Sequence, residues 1–442
     1  EALNIYLVNM TGEEITMPVI VKLEALMGAY GAALYAKRCK ASKLMNLAEL
    51  ECFTHTAKST VCKGCTNHCL LTINHFSGGR KFVSGNRCER GLGKEKANKD
   101  IPNLFAYKLD RYFNYKPLEE FEAKRGTVGI PRVLNMYENY HFWHPILTKL
   151  GYEVVRAPFG SRDLFLEGQA TIPSDTVCYP AKMMHGSVTH LIEKQGVNRI
   201  FYPCLPYNFD EKISDNHYNC PVVAYYPEVL DANMSILQNV RFTKDYLGPH
   251  NEKHFVKRLQ QTLKQDKIPL KEVKEAAAYG YQQQEEYLKD LKRYGKEAIA
   301  FARAHNLPII VLAGRPYHVD PEINHGIDQL ITSYGAVVIS EDCLPLAKNK
   351  FHTNVLNQWT YHARLYSAAH YVCQQPDMYL VQLVSFGCGL DAVTTDEVRD
   401  ILEKHDNLYT QIKIDEINNL GAVKIRLRSL FAAINQKNRA KG

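Results

Sequence analysis

The run Pro308-Ile309-Ile310-Val311-Leu312-Ala313-Gly314-Arg315-Pro316-Tyr317-His318 decides the fold. An unbroken apolar stretch closed by glycine and proline reads as a strand buried on both faces, feeding a strand-to-helix loop. Working outward, further strands are predicted near 336–339, 379–384 and 409–414, with helices over 326–334, 354–373, 395–404 and 419–435. The same rhythm occurs earlier, beginning at Thr127-Val128-Gly129-Ile130. There the predicted strands are 127–130, 152–156, 199–202 and 222–225, and the predicted helices 135–150 and 182–194. Short apolar runs alternating with helical stretches are the mark of a parallel sheet. Between the two regions, residues 230–306 are charged and mostly helical; Lys271 to Phe301 carries Glu/Lys pairs at helical spacing and no proline.

The expected fold class is therefore α/β, with two doubly wound Rossmann-like domains joined by a helical segment and preceded by a small cysteine-rich metal-binding hairpin. The expected division is an N-terminal helical segment 1–58, a cysteine-rich module 59–100, a linker 101–125, Rossmann-like domain I 126–245, a helical segment 246–305 and Rossmann-like domain II 306–442.

Composition narrows the function. A chain of 442 residues suggests two or three domains, and 45% hydrophobic residues suffice for ordinary cores. No apolar run approaches the roughly 20 residues of a membrane-spanning helix. The start, Glu1-Ala2-Leu3-Asn4, has neither an initiator Met nor the features of a signal peptide. The sequence is expected to be a fragment of a longer chain. A net charge of +7 is small for this length. Without a dense basic stripe carrying aromatics it does not point to nucleic acid, though it suits an acidic or phosphate-bearing partner. Neither Gly-x-Gly-x-x-Gly nor Gly-x4-Gly-Lys-Ser/Thr occurs, which argues against a dinucleotide dehydrogenase and a P-loop ATPase. The 12 cysteines are the informative count. With no export signal they point to metal or redox use in a reducing cytoplasm rather than to disulfides.

Four of them form a compact set. Cys62-Lys63-Gly64-Cys65-Thr66-Asn67-His68-Cys69 is followed by Cys88 in Gly85-Asn86-Arg87-Cys88. Two intervening residues let Cys62 and Cys65 face one metal. The stretch Leu71 to Phe76, the turn Ser77-Gly78-Gly79-Arg80 and the stretch Lys81 to Ser84 read as a hairpin that returns Cys88 to the others. Four thiolates suit tetrahedral zinc or a four-iron cluster, and spacing does not separate the two. His68 and His75 read as surface or packing residues.

A second set is dispersed. Cys204 and Cys388 closely follow predicted strands, and Cys178 precedes a predicted helix. The carboxyl ends of strands line the ligand crevice of open α/β sheets, so segments of both domains can converge there. Cys220, in Asn219-Cys220-Pro221, reads either as a ligand or as a core residue opening a strand. Cys373 reads as core, and Cys39, Cys52 and Cys343 as structural. The loop Gly314 to Gly326 concentrates Arg315, His318, Asp320, Glu322 and His325. Arg315 and His318 are its foremost candidates for substrate contact. No catalytic residue is assigned.

These motifs resemble a known group. Cys62 to Cys69, Gly85 to Gly91, Ile130 to Asn139, Ser174 to Lys182, Asp215 to Pro221, Ala313 to His318 and Ser385 to Ala392 look like the activase-related family of 2-hydroxyacyl-CoA dehydratases, close to the double-cubane cluster proteins. The resemblance covers nearly the whole chain. It implies two Rossmann-type domains with a cysteine-bound iron–sulfur cluster between them, either 4Fe-4S or a double cubane. Cys178, Cys204 and Cys388 carry over as ligands, with Cys220 beside them. It also implies an ATP-hydrolysing activase of the acetate kinase/actin type, as domain or subunit, that delivers low-potential electrons. Gly28-Ala29-Tyr30-Gly31-Ala32-Ala33-Leu34 resembles the closing helix of such an activase. The implied partners are that activase, an unidentified small molecule with acyl-CoA as a candidate, and a second copy in a homodimer, with no membrane. The competing reading is a non-catalytic scaffold with structural zinc at Cys62, Cys65, Cys69 and Cys88.

The hairpin reading has a direct test. Cys65→Ser and Cys88→Ser should each abolish the same bound metal, since a four-thiolate site tolerates loss of neither. Metal analysis of anaerobically purified variants measures it, and retention of full metal content in either one refutes the shared site.

Overall fold

A computed structural model describes residues 27–38, 47–63, 68–86, 100–119, 121–347, 351–385, 387–414 and 420–441. The chain divides into two compact units, one of residues 1–57 with 74–82, the other of residues 58–73 with 83–442. In the first unit, α1 (Met27–Ala36) and α2 (Leu47–Glu51) precede β1 (His55–Val61). The reading of helix as far as residue 58 is thus corrected: His55 and its successors are extended. The cause is local. Phe53 and His55 both stack on Phe76, and His55 Nε2 lies 2.8 Å from Asn74 Oδ1. β2 (Leu70–Phe76) and β3 (Lys81–Ser84) join β1 in a three-stranded sheet, with Gly79 at φ +72° in the turn. Cys65 and Cys88 lie outside the described residues.

The second unit holds both parallel sheets. After α3 (Leu104–Phe113), β4 (Thr127–Ile130), β5 (Glu153–Arg156), β6 (Arg199–Phe201) and β7 (Arg241–Thr243) pair in the order β5-β4-β6-β7. Their connections carry α4 (Tyr140–Lys149), α5 (Arg162–Gly168), α6 (Tyr179–Glu193) and α7 (Pro221–Asn233). Two helices then follow, α8 (Glu252–Thr262) and α9 (Leu270–Ala304). β8 (Ile309–Ala313), β9 (Val337–Ile339), β10 (Met378–Val384) and β11 (Tyr409–Lys413) pair in the order β11-β10-β8-β9. Their connections carry α10 (Pro321–Asn324), α11 (Ile327–Ser333), α12 (Thr360–Cys373) and α13 (Gly389–Glu403), and α14 (Gly421–Lys441) closes the chain. Counted within its own sheet, each half has the strand order 2-1-3-4 with every pair parallel. β8 is buried at every residue, as its unbroken apolar run requires.

Three further predicted elements are corrected. Residues 222–225 are helix, not strand. Pro221 fixes φ where the first helical turn wants it and lacks an N–H that would go unused there. The apolar Val223, Ala224, Tyr226 and Leu230 then fall on the buried side of α7. The fourth strand of that sheet is β7, too short and too polar to announce itself. In domain II, α13 starts at Gly389 rather than 395, and α12 starts at Thr360 rather than 354.

α9 braces the two sheets. Its buried positions, including Val273, Ala277, Gly280, Gln284, Tyr287, Leu291, Gly295, Ala298 and Ala302, recur every three to four residues. Gly280 is required by closeness to α4, because a Cβ there would lie 2.5 Å from Ile146. Buried polar pairs clamp the two halves: Tyr137 to Asp320, Tyr179 to Glu322 at 2.9 Å, and Arg364 to both Glu138 and Glu211, the latter at 2.8 Å.

Domain I buries three histidines that stay neutral. Burial pulls His141 down to about 3 and His144 and His185 down to about 4. The unfolded chain takes up these protons near pH 6.5, well before the native state does. Stability is therefore expected to be intact above about pH 6.5 and to fall as the pH drops toward 4, with a ceiling of about 1.4 kcal/mol per pH unit from His141 alone. Urea denaturation at pH 7.5, 6 and 5 measures this, and a flat profile contradicts it.

Candidate metal centre

Three helices of the second unit begin at a cysteine. Cys178 is the residue before α6, Cys220 the residue before α7 and Cys388 the residue before α13. Each has the extended, non-helical backbone of a capping position; Pro180 and Pro221 occupy the first turns behind the first two. The first N–H groups of a helix have no partner within it, and its peptide dipoles leave partial positive charge at that end. Cys220 Sγ accepts one such N–H, from Val223 at 3.4 Å. All three side chains are therefore set where negative charge is favoured.

Arg315 stands beside them. It follows β8 by two residues and is 4% exposed. Its guanidinium meets Asp391 with a closest approach of 2.8 Å, His362 Nε2 at 3.1 Å and Cys388 Sγ at 3.5 Å. Asp391 lies in the first turn of α13 and also accepts the Ser385 N–H at 2.9 Å. Burial pushes the Cys178 thiol up to about 12; Cys220 and Cys388 add to the rise, and the Ala181 N–H and Arg315 oppose it. Cys220 is likewise pushed up by burial and held back by Arg315, with Cys388 again raising it. Tyr317 feels Arg315 and all three cysteines. Cys178, Cys220 and Cys388 thus share one electrostatic neighbourhood around a single buried cation, two from domain I and one from domain II.

Cys204 is set differently. It is fully buried beyond the end of β6, where its N–H reaches Asp245 O at 3.0 Å and its carbonyl accepts from Leu247 N at 3.0 Å. Burial, then Glu228, raise its thiol to about 12, and its remaining charged neighbours are Lys244 and Asp245. Tyr202 lies between, feeling Cys204, Cys220 and Cys178. His318 is buried behind the turn, where its Nδ1 accepts the Arg315 N–H at 3.0 Å. Its ring thereby fixes the loop that presents Arg315, and burial drives it to the neutral form. Cys62 and Cys69 are joined by a backbone hydrogen bond of 2.8 Å, but Cys65 and Cys88 lie outside the described residues. Cys343 and Cys373 donate to the carbonyls of Ser340 and Ile401. Among the described residues, no group of three His, Cys, Asp or Glu side chains is closed tightly enough for a single metal ion.

Asp391, His362 and Tyr317 were not singled out in the sequence. The spacing Cys388-x-x-Asp391 was the available signal, because it places the carboxylate in the first turn of the helix its cysteine caps. For Cys220 the signal was Pro221.

Residues 127–344 match the family model described as the CoA enzyme activase uncharacterised domain. The match spans the first sheet, α9, β8, β9 and the turn after it, and so contains Cys178, Cys204, Cys220, Arg315 and His318. Residues 127–344 are thus similar to a CoA enzyme activase-related domain, in keeping with the family the motifs resemble. No curated protein matches it.

The buried pair sets an expectation. Asp391→Asn leaves Arg315 charged and unpaired, at a cost of about 3–5 kcal/mol, whereas an apolar double replacement, Arg315→Met with Asp391→Leu, should recover most of it. Denaturant unfolding of the metal-free protein measures both; a double variant no more stable than Asp391→Asn would contradict this role for the pair.

Proposed function

We propose that this chain is an iron–sulfur protein of the 2-hydroxyacyl-CoA dehydratase and double-cubane type, which accepts low-potential electrons from an ATP-hydrolysing activase to reduce or dehydrate a small molecule. The observation that carries this reading is the gathering of Cys178, Cys220 and Cys388, each at the head of a helix, around Arg315. The donor set fits an anionic group better than a lone dication. A divalent ion bound to Cys388 would sit against a guanidinium 3.5 Å from its ligand sulfur. An iron–sulfur group carrying thiolates is negative overall, and the same guanidinium and helix ends favour it.

Cys178, Cys220 and Cys388 would hold the group, with Cys204 as the further nominated thiol. When bound, it would supply single electrons at low potential. Arg315 keeps its charge whatever the redox state, and Asp391 and His362 orient it. Tyr317 is buried beside the three thiols, which are themselves half-buried. Arg315 is the nearer of the two nominated substrate contacts, with His318 holding its turn. The activase partner and an acyl-CoA substrate follow from the resemblance and are supported by the CoA enzyme activase-related domain. Cys62, Cys65, Cys69 and Cys88 would bind a separate zinc or iron centre.

Anaerobic purification with iron, zinc and acid-labile sulfide analysis and EPR tests the proposal. Brown wild-type protein with iron and sulfide is expected. Cys388→Ala and Cys220→Ala should each lose the iron and sulfide of this site and any reductase activity, yet keep the hairpin metal. Colourless protein carrying zinc alone, or unchanged iron and sulfide in Cys388→Ala, would refute it.

A further inference from the structure

Six tyrosine hydroxyls among the described residues are buried without a hydrogen-bond partner. Five of them have another polar side chain beside them to turn to. Tyr112 and Tyr287 face each other, Tyr140 faces Arg156, Tyr152 faces Arg199, and Tyr361 faces Glu138. Tyr202 is the exception. The polar groups around its hydroxyl are Cys204, the Tyr226 phenol, Cys220 and Cys178. Tyr202 is the residue after β6, the third strand in the order 2-1-3-4, and so stands at the carboxyl end where the crevice opens. Its N–H pairs with Thr243 O at 3.1 Å, in line with the sheet, and its side chain is fully buried.

The neighbouring phenol is already committed. Gly168 and Gly186 let the end of α5 press on α6, since a Cβ on Gly168 would lie 2.0 Å from the Gly186 N. That contact brings Thr171 Oγ1 to 2.8 Å from His185 Nδ1. Thr171 gives its own proton to Gly168 O at 2.9 Å, so the ring nitrogen donates to the hydroxyl. His185 Nε2 is then bare and accepts the Tyr226 O–H at 3.0 Å. Tyr226 has no proton left to offer the thiols, whereas Tyr202 keeps its own. Burying an O–H with nothing to receive it is costly, and phenylalanine would fill the same space without that cost. A tyrosine here therefore points to an acceptor that arrives with whatever the thiols bind.

We propose that Tyr202 is a hydrogen-bond donor to sulfur in the iron–sulfur group held by Cys178, Cys220 and Cys388, and that it raises the reduction potential of that group. The inference rests on the cluster reading given above. Sulfur in such a group carries more negative charge after reduction than before. A donor aimed at it stabilises the reduced form more than the oxidised one. A phenol keeps its proton at neutral pH, so Tyr202 supplies this effect without adding a second buried charge to that of Arg315.

EPR-monitored redox titration of the full chain, loaded anaerobically, tests it by comparing Tyr202→Phe with wild type. Iron and sulfide content should match wild type, since no ligand is lost. The one-electron reduction should become roughly tenfold less favourable, a fall of about 59 mV in the midpoint. Tyr226→Phe, whose lost proton was held by His185, should leave the midpoint much nearer the wild-type value. A second measurement does not depend on the cluster. Metal-free Tyr202→Phe should unfold in urea at a midpoint no lower than wild type, because the hydroxyl it loses has no partner there, whereas loss of a structural hydrogen bond would lower it. Wild type without iron and sulfide would sink the cluster reading and this inference with it. With iron and sulfide present in wild type, four results would overturn the inference alone: loss of iron from Tyr202→Phe, an unchanged or raised midpoint in it, an equal shift in Tyr226→Phe, or a lower urea midpoint in metal-free Tyr202→Phe.

Discussion

An arginine cannot shed its proton inside a protein, and Arg315 is buried. Its charge must be met wherever the chain places it, and the surrounding structure is organised by that requirement. Asp391 meets it from the first turn of α13, which fixes that helix relative to the loop after β8. Because Asp391 lies three residues past Cys388, the pairing also brings the Cys388 sulfur to the guanidinium. His318 ties the Arg315 backbone from behind, and His362 takes one of the remaining N–H groups. A single buried charge thus sets the turn after β8, the head of α13 and the first of the three thiols.

The other two thiols arrive by the repeated topology. Both sheets run 2-1-3-4, so both open a crevice at the ends of their first and third strands. Domain I brings Cys178 and Cys220 at the heads of α6 and α7, and domain II brings Cys388. Their meeting depends on the clamp between the halves. Tyr137 with Asp320, Tyr179 with Glu322, and Arg364 with Glu138 and Glu211 are largely buried and cross from one half to the other. Separating the halves would strand these groups, at the several kcal/mol that an uncompensated buried charge costs. α9 adds a rigid contact, seated against α4 through Gly280 and against Cys343 in the turn after β9 through Gly295. The crevice therefore has little freedom to widen without local unfolding.

The parallel sheets were legible because their strands are buried on both faces, and nothing else writes a run such as Ile309 to Ala313. β7 was not legible, since three residues between charged neighbours leave no period to detect. The run Val222 to Tyr225 looked like a strand because valine and tyrosine favour strands. Pro221 and the burial of one side decided otherwise, a case of tertiary context overriding propensity. Cys178 and Cys388 were found by their nearness to strand and helix ends. What sequence could not supply was the common element in Cys178, Cys220 and Cys388, their position at the head of a helix, because α7 and the true start of α13 were missed. Asp391 was hidden for the same reason: a carboxylate three residues past a cysteine has meaning only once a helix is known to start between them. The strand order common to the two domains left no mark in the sequence, since backbone pairing constrains burial and not identity.

The protonation of the thiols links this architecture to occupancy. Burial holds Cys178 and Cys220 as neutral thiols at physiological pH, while the helix ends and Arg315 favour their anions. These influences oppose each other, and the desolvation of the sulfurs wins. A bound metal changes the balance, because it bonds the thiolate and replaces water as the source of stabilisation. Protons must then leave, so affinity for any thiolate-bound metal rises with pH. The surroundings of the site select by charge as well. Three helix ends and a guanidinium lower the energy of a group that stays negative after its thiolates bind, and raise that of one that stays positive. Backbone dipoles and one paired arginine thus make this crevice a better place for negative charge than for positive charge.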